Sequence, residues 1–235
     1  MYVNNELDIN TRLVCDEKQA HYLLNVMRLT VGDEVFVFNG KDGEFCSEIE
    51  TAQKKKCVLK VVSKYCQYCD TPDVWLVFAV LKKDNTDLVV EKATELGVRK
   101  IIPVITEYTS NSKTRTDRLQ AISIEASEQC RRQDVPKVCE CTDLQKLLSN
   151  WDKNRKLIYL DESLKSGSAQ EQMPKCKAPV AILTGPEGGF SEKELEILRN
   201  LDYTFGVSLG NRILRAETAV IASLSCWQSY AGDWQ

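Results

Sequence analysis

Apolar and polar positions alternate in short runs over the first seventy residues, and the pattern changes beyond Thr71-Pro72-Asp73. Before that boundary, Glu34 to Asn39, Phe45 to Glu50 and Cys57 to Val62 show partial period-two alternation, which predicts half-buried strands. Gly40-Lys41-Asp42-Gly43 reads as a turn, and His21 to Leu29 as the one helix of this region. Together they predict a small β-barrel over residues 1–70. From residue 71 to 235 apolar runs alternate with helical patterns. Val74 to Leu81, Ile101 to Ile105, Leu157 to Leu160, Val180 to Leu183 and Phe205 to Ser208 read as strands. Asp84 to Leu96, Arg115 to Arg132, Ser191 to Leu201 and a last segment from about Ala216 read as helices. That alternation predicts an α/β domain with a mostly parallel sheet and helices on both faces.

Two strand-to-helix connections carry the candidate chemistry. Val180 to Leu183 runs into Thr184-Gly185-Pro186-Glu187-Gly188-Gly189-Phe190, after which Ser191 and Glu194 stand at capping-box spacing. The short strand ending at Ser208 runs into Leu209-Gly210-Asn211-Arg212-Ile213-Leu214-Arg215, followed by Ala216-Glu217-Thr218-Ala219. Loops at the carboxyl ends of strands are where open α/β sheets bind small ligands. The glycine run matches neither the dinucleotide fingerprint nor a P-loop, because it lacks G-x-G-x-x-G and a Gly-Lys-Ser/Thr ending. Glu187 would repel a polyphosphate on the loop amides, so an uncharged or cationic nucleoside-like ligand fits better than ATP. Read alone, the run is equally a plain strand–turn–helix connection.

Composition narrows the class. The 235 residues are 43% hydrophobic and 28% charged, which is ordinary for a globular chain with room for one large or two unequal domains. No apolar stretch is long enough to span a bilayer, and Met1 to Glu6 carries no secretory signal, so a cytoplasmic location is expected. Ten cysteines include the C-x-x-C pair Cys66 and Cys69 and the close pair Cys139 and Cys141. A zinc site would need both pairs to converge, since the single histidine, His21, is remote in sequence; reduced, unpaired thiols without metal are expected. The net charge of −3 places any nucleic-acid contact on local patches. Lys54-Lys55-Lys56, Lys82-Lys83, the stretch from Lys113 to Arg118, and Arg131-Arg132 with Lys137 qualify, although such runs are commonly solvated faces.

Taken together with their order and spacing, the two loops closely resemble the C-terminal half of the RsmE family of 16S rRNA uridine-N3 methyltransferases. Lys92-Ala93-Thr94-Glu95-Leu96-Gly97-Val98 is similar to its K-x-T-E-L-G run. Glu125-Ala126-Ser127-Glu128-Gln129, continuing through Arg132 to Val135-Pro136, is similar to its E-A-x-E-Q-x-x-R-x-x-V-P segment. His21 and Asn25-Val26-Met27-Arg28-Leu29, with Gly32-Asp33, resemble its N-terminal signature. The resemblance implies a trefoil-knotted SPOUT domain that uses S-adenosyl-L-methionine, and a PUA-like barrel that grips RNA. Periodicity alone gives no hint of a knot.

The resemblance also implies residue roles. Leu183, Thr184, Gly185, Pro186, Glu187 and Gly189 would meet the methionine and ribose parts of the cofactor. Leu209, Gly210, Ile213, Leu214 and Thr218 would meet the adenine. Methylation of uridine N3 requires removal of a proton and stabilisation of the resulting charge. The agents expected are Glu128, Arg132, Arg212, Arg215 and Glu217, with Glu128 and Arg132 on one helix face or in a plain salt bridge. Met1-Tyr2-Val3 lacks an arginine that family members often carry, so RNA contact would lean on Arg12 or Arg28, or be weaker, with His21 on the RNA-binding face or in the packing of the small domain. The partners implied are the small ribosomal subunit and a second copy of the chain, packed through Ile221, Leu224 and Trp227. The rivals are a SPOUT ribose 2′-O-methyltransferase and a non-catalytic RNA-binding protein on the same scaffold.

Overall fold

The computed structural model describes residues 1–53, 56–110, 114–163 and 166–234. Lys54, Lys55 and Lys113 of the basic runs lie outside them. The chain divides into two compact units, Met1–Asp70 with Arg131–Asp134, and Thr71–Cys130 with Val135–Gln235.

In the first unit, β1 (Arg12–Val14), β2 (Glu34–Phe38), β3 (Glu44–Gln53) and β4 (Lys56–Cys66) form an antiparallel sheet in the order β1-β4-β3-β2. Three register shifts interrupt the β3–β4 ladder, which bends these long strands. Helix α1 (Glu17–His21) starts a turn before the expected His21, because Asp16 and Gln19 form a capping box. It continues as a π-helical turn over Tyr22–Val26, closed by Arg28 at φ 58°. Leu13, Leu23, Val37, Phe45, Ile49, Leu59 and Val61 build the core of this unit. Cys15 and Cys57 belong to it, and burial pushes the Cys15 thiol up to about 12, so it packs as an inert side chain.

The second unit runs β5 (Val74–Ala79), α2 (Lys83–Glu95), β6 (Lys100–Ile105), α3 (Thr116–Cys130), β7 (Lys137–Val138), β8 (Thr142–Asp143) and α4 (Leu144–Ser149). It continues through β9 (Lys156–Leu160), β10 (Gly167–Ser168), α5 (Ala169–Gln172), β11 (Val180–Thr184), α6 (Glu192–Arg199), β12 (Thr204–Ser208) and α7 (Ala216–Ala231). The eight-stranded sheet has the order β10-β12-β9-β11-β5-β6-β7, with β8 also on β6, and its pairings are parallel. Period-two alternation sorts each buried strand between two layers. Leu76, Phe78, Ile158, Val180, Ile182 and Val207 face a layer containing Val90, Ala93, Val220, Leu224 and Trp227 of α2 and α7. Val77, Leu157, Tyr159, Ala181 and Leu183 face Leu144, Leu195 and Leu198 of α4 and α6.

At the amino ends of the strands a buried cation replaces apolar packing. Arg155, 6% exposed, donates to Asp73 Oδ2 at 2.6 Å and to the Val180 carbonyl at 3.2 Å. Its guanidinium carbon lies 3.6 Å from the Trp75 ring centroid, over which Lys100 Nζ also lies at 3.9 Å.

Three expectations need correction. Helix α3 stops at Cys130, since Arg131 takes φ 60° and Val135-Pro136 cannot continue a helix. Arg132 is therefore off the helix, and the shared face with Glu128 does not exist. Leu224 and Trp227 are fully buried within their own chain, so they cannot pack against a second one; Ile221 is half-buried. The family-like K-x-T-E-L-G run is structural: Thr94 is buried, its hydroxyl donates to the Val90 carbonyl at 2.8 Å, and Gln228 Nε2 donates to the Leu96 carbonyl at 2.7 Å.

Trp227 Nε1 donates to the Cys176 carbonyl at 2.8 Å, so its removal leaves both a large void and an unpaired acceptor. Trp227→Ala should lower unfolding free energy by about 3–5 kcal/mol, measured by urea denaturation.

Candidate active site

The carboxyl ends of β9, β11 and β12 open into a cleft of about 300 Å³. Each strand delivers a different part of its wall. Strand β11 ends on Thr184 and passes into the glycine loop, whose Gly185, Pro186, Glu187 and Gly189 line the cleft. The loop closes with a Gly189 N–H to Pro186 carbonyl bond of 2.9 Å. Gly189 sits at φ 71°, and a Cβ there would stand 2.5 Å from Glu162 Oε1, so only glycine fits. Ser191 then caps α6 in the expected capping box, donating its N–H to Glu194 Oε2 at 2.9 Å. From β12 come Leu209, Gly210, Arg212, Ile213 and Leu214, and from the start of α7 Ala216 and Ala219.

Strand β9 contributes a wall that the sequence reading missed: Leu160, Asp161, Glu162 and Ser163. The signal was present, since Asp-Glu-Ser follows the apolar run Leu157 to Leu160 as the glycine loop follows Val180 to Leu183. Asp161 is 4% exposed yet accepts the Ser163 N–H at 2.9 Å and the Ser166 hydroxyl at 2.7 Å. Burial opposes its charge, but those bonds, with Arg199 further off, outweigh burial and hold its pKa below the usual carboxylate range. Asp161, Glu162, Glu187 and Glu192 thus face the cleft against Arg212, the one basic residue among its described lining residues, giving a negative field that suits a cation. Thr184 Oγ1 is buried with no hydrogen-bond partner among the described residues, a donor and acceptor left for a ligand.

The remaining expected residues are distributed as follows. Leu183 is fully buried on the α6 side of the sheet, so its side chain does not line the cleft. Thr218 is exposed outside the lining, where Ala219 takes its place. Ile213 lines the rim with 82% of its surface exposed. Arg215 is the N-cap residue of α7, and Glu217 in its first turn lies 3.5 Å from Asn85 Nδ2. Glu128 is half-buried on α3. In the first unit, Arg132 forms a two-pronged pair with Asp134 at 2.9 Å. There too, Arg12 grips Glu50 at 2.7 and 2.8 Å, His21 pairs with Asn25 at 2.9 Å, and Arg28 is exposed. Among the described residues no three His, Cys, Asp or Glu side chains converge as a metal site.

A parallel α/β sheet with a negatively charged, partly apolar cleft at its carboxyl edge, in a chain that also carries a small antiparallel β unit, defines a nucleoside-ligand enzyme with an accessory module. Residues 69–228 match the RNA methyltransferase domain and residues 15–62 the RNA methyltransferase PUA domain. Ribosomal RNA small subunit methyltransferase E of Rickettsia conorii is 32% identical, over 96% of this chain and 93% of its own. That of Bacillus subtilis is 31% identical, over 88% and 86%. A Legionella pneumophila protein solved with bound cofactor SAM superposes with a TM-score of 0.89 at 30% identity, over 99% of this chain and 97% of its own. The chain belongs to the ribosomal RNA small subunit methyltransferase E family.

The Asp161 carboxylate has a depressed pKa in the folded chain, so it stabilises the fold above about pH 4 and ceases to as pH falls through its folded value. Asp161→Asn should therefore be less stable than the parent at pH 7, and the gap should narrow as the pH falls progressively below about 4. Urea unfolding across that acid range measures it.

Proposed function

We propose that the chain is an S-adenosyl-L-methionine-dependent methyltransferase that methylates N3 of a uridine in the 16S rRNA of the small ribosomal subunit. The observation that carries this reading is the cleft, where acidic side chains, apolar walls and the unpartnered Thr184 hydroxyl fit a cationic nucleoside. The relatives named for the small-subunit RNA and the SAM-bound Legionella neighbour support it. Residues 1–70 serve as the RNA-binding module and residues 71–235 as the catalytic domain. The protein works in the cytoplasm; among the described residues no helix is long and apolar enough to cross a membrane.

When bound, the cofactor supplies an electrophilic methyl group on a cationic sulfur. The chain's residues do the rest. Thr184, Gly185, Pro186, Glu187 and Gly189 hold the polar half of the cofactor, and Leu209, Gly210, Ile213 and Leu214 flank the adenine. The Asp161 and Glu162 carboxylates favour the positive charge. A uridine N3 becomes nucleophilic once its proton leaves, so a carboxylate must accept that proton and donors must stabilise the charge spreading to O2 and O4. Glu217 or Glu128 is assigned as that acceptor. Arg212 and Arg215 offer the planar donor forks that such oxygens or an adjoining phosphate require; Arg132, in the first unit, holds Asp134 with its own fork. Arg28, His21 and Arg12 serve as RNA contacts of the module.

Calorimetry should show S-adenosylmethionine binding and no ATP binding, and rRNA nucleosides from a strain lacking the protein should lack one N3-methyluridine by mass spectrometry. Arg28→Gly suits its left-handed backbone, so it should keep stability and cofactor affinity while lowering the salt slope of RNA binding by about 1. Arg212→Ala should instead slow single-turnover transfer at saturating RNA by about tenfold or more. Complete rescue of Arg212→Ala by added RNA would contradict its place at the reacting base.

Two copies associate as an isologous dimer. Light scattering at micromolar protein should give twice the mass of one chain; a monomer there would rule the dimer out.

A further inference from the structure

We propose that Tyr108 is the platform against which the target base stacks at the mouth of the cleft. The assignment rests on the methyl-transfer reading above. The turn Thr106 to Thr109 follows β6 and closes on itself. Thr109 N–H donates to the Thr106 carbonyl at 3.1 Å, Thr106 N–H donates to Thr109 Oγ1 at 2.9 Å, and the two hydroxyls lie 2.8 Å apart. Glu107 N–H then donates to Glu194 Oε1 at 2.9 Å. The other oxygen of that buried carboxylate receives Ser191 N–H, where the glycine loop enters α6. The turn is thus fixed to the loop that walls the cleft.

Gly188 completes the attachment. A Cβ at that position would stand 3.3 Å from Tyr108 Cβ and 3.8 Å from its Cγ and Cδ2, so the stem of the tyrosine lies directly along the glycine loop. Even so, Tyr108 remains 51% exposed. A ring whose stem rests on an anchored turn and against the glycine loop, and whose surface is about half open, presents an aromatic face beside the cleft wall. That combination suits stacking on an unpaired base, which needs a fixed aromatic face and no particular base edge. The neighbouring residues of the loop, Glu187 and Gly189, line the cleft, so the ring borders the segment that walls the ligand space. Recognition of uridine is left to polar groups at its edges, whereas Tyr108 sets the plane in which the base lies.

The test compares the parent with Tyr108→Phe and Tyr108→Leu in single-turnover methyl transfer to small-subunit particles, with cofactor affinity measured by calorimetry. Tyr108→Phe should match the parent. Tyr108→Leu, similar in bulk but without an aromatic face, should lose about tenfold or more in transfer per RNA bound, with cofactor affinity and melting temperature unchanged. Gly188→Ala should give a smaller loss in the same direction by displacing the ring. Tyr108→Leu transferring at the parent rate overturns the assignment, as does a leucine variant whose whole defect is weakened cofactor binding. A parent protein that binds the cofactor yet methylates no RNA refutes the underlying reading, and the platform with it.

Discussion

One buried carboxylate, Glu194, sets the geometry on which the site depends. Its two oxygens satisfy backbone N–H groups of different segments, Ser191 at the head of α6 and Glu107 in the turn after β6. Both are donors that a loop would otherwise present to water, and burying them unpaired would be costly. A helix N-terminus also favours a negative charge at this position. The turn from Thr106 to Thr109 and the head of α6, remote in sequence, are thereby joined at one carboxylate. A segment anchored in this way spends less ligand-binding energy on ordering itself.

Above that constraint, the parallel sheet separates packing from chemistry. Inward-facing residues of each strand disappear into one of two apolar layers, and the strands reach the cleft through residues at their carboxyl ends, Leu160, Thr184 and Val207, and the loops beyond them. Thr184 shows the switch within one strand: Val180 and Ile182 on its face are core, while its hydroxyl meets the cleft without a partner. The same division applies to the motifs. Ala93, Thr94 and Val98 of the Thr94 run and the small residues Ser123 and Ser127 of α3 are buried and serve helix packing, so a likeness in sequence at those positions reports fold.

Much of this was legible in the sequence. The long strands of the second unit, the helix after Ser191 and the two cleft loops follow from periodicity, glycine placement and a capping box. What was missed has physical causes. The short strands β7, β8 and β10 carry too few residues for alternation to register. Arg131 in a left-handed conformation ended α3 early, and nothing in the local pattern of Arg131-Arg132-Gln133 announces it. Asp161 escaped notice because a carboxylate after a strand has no composition signature until burial and its serine donors are seen. The family resemblance put the surroundings of Trp227 at an interface between chains, whereas its side chain is buried in the core of its own sheet layer, which only the fold reveals. The knot implied by family resemblance belongs to chain threading, which periodicity does not encode.

At the opposite end of the strands, Arg155, Asp73, Trp75 and Lys100 make a different kind of demand on the chain's history. The guanidinium is buried, so losing Asp73 alone would strand a charge, and breaking such a pair typically costs about 3–5 kcal/mol. Replacing Arg155 alone would leave the Asp73 carboxylate without its cation and take one of two cations off the Trp75 ring. Exchange of the whole group for well-packed apolar residues, by contrast, carries no such penalty. Substitutions here are therefore strongly epistatic, accepted as a set and rejected one by one, whereas exposed loop residues at the cleft can drift singly. Lineages would be expected to differ gradually at the carboxyl edge of this sheet and in jumps at its amino edge.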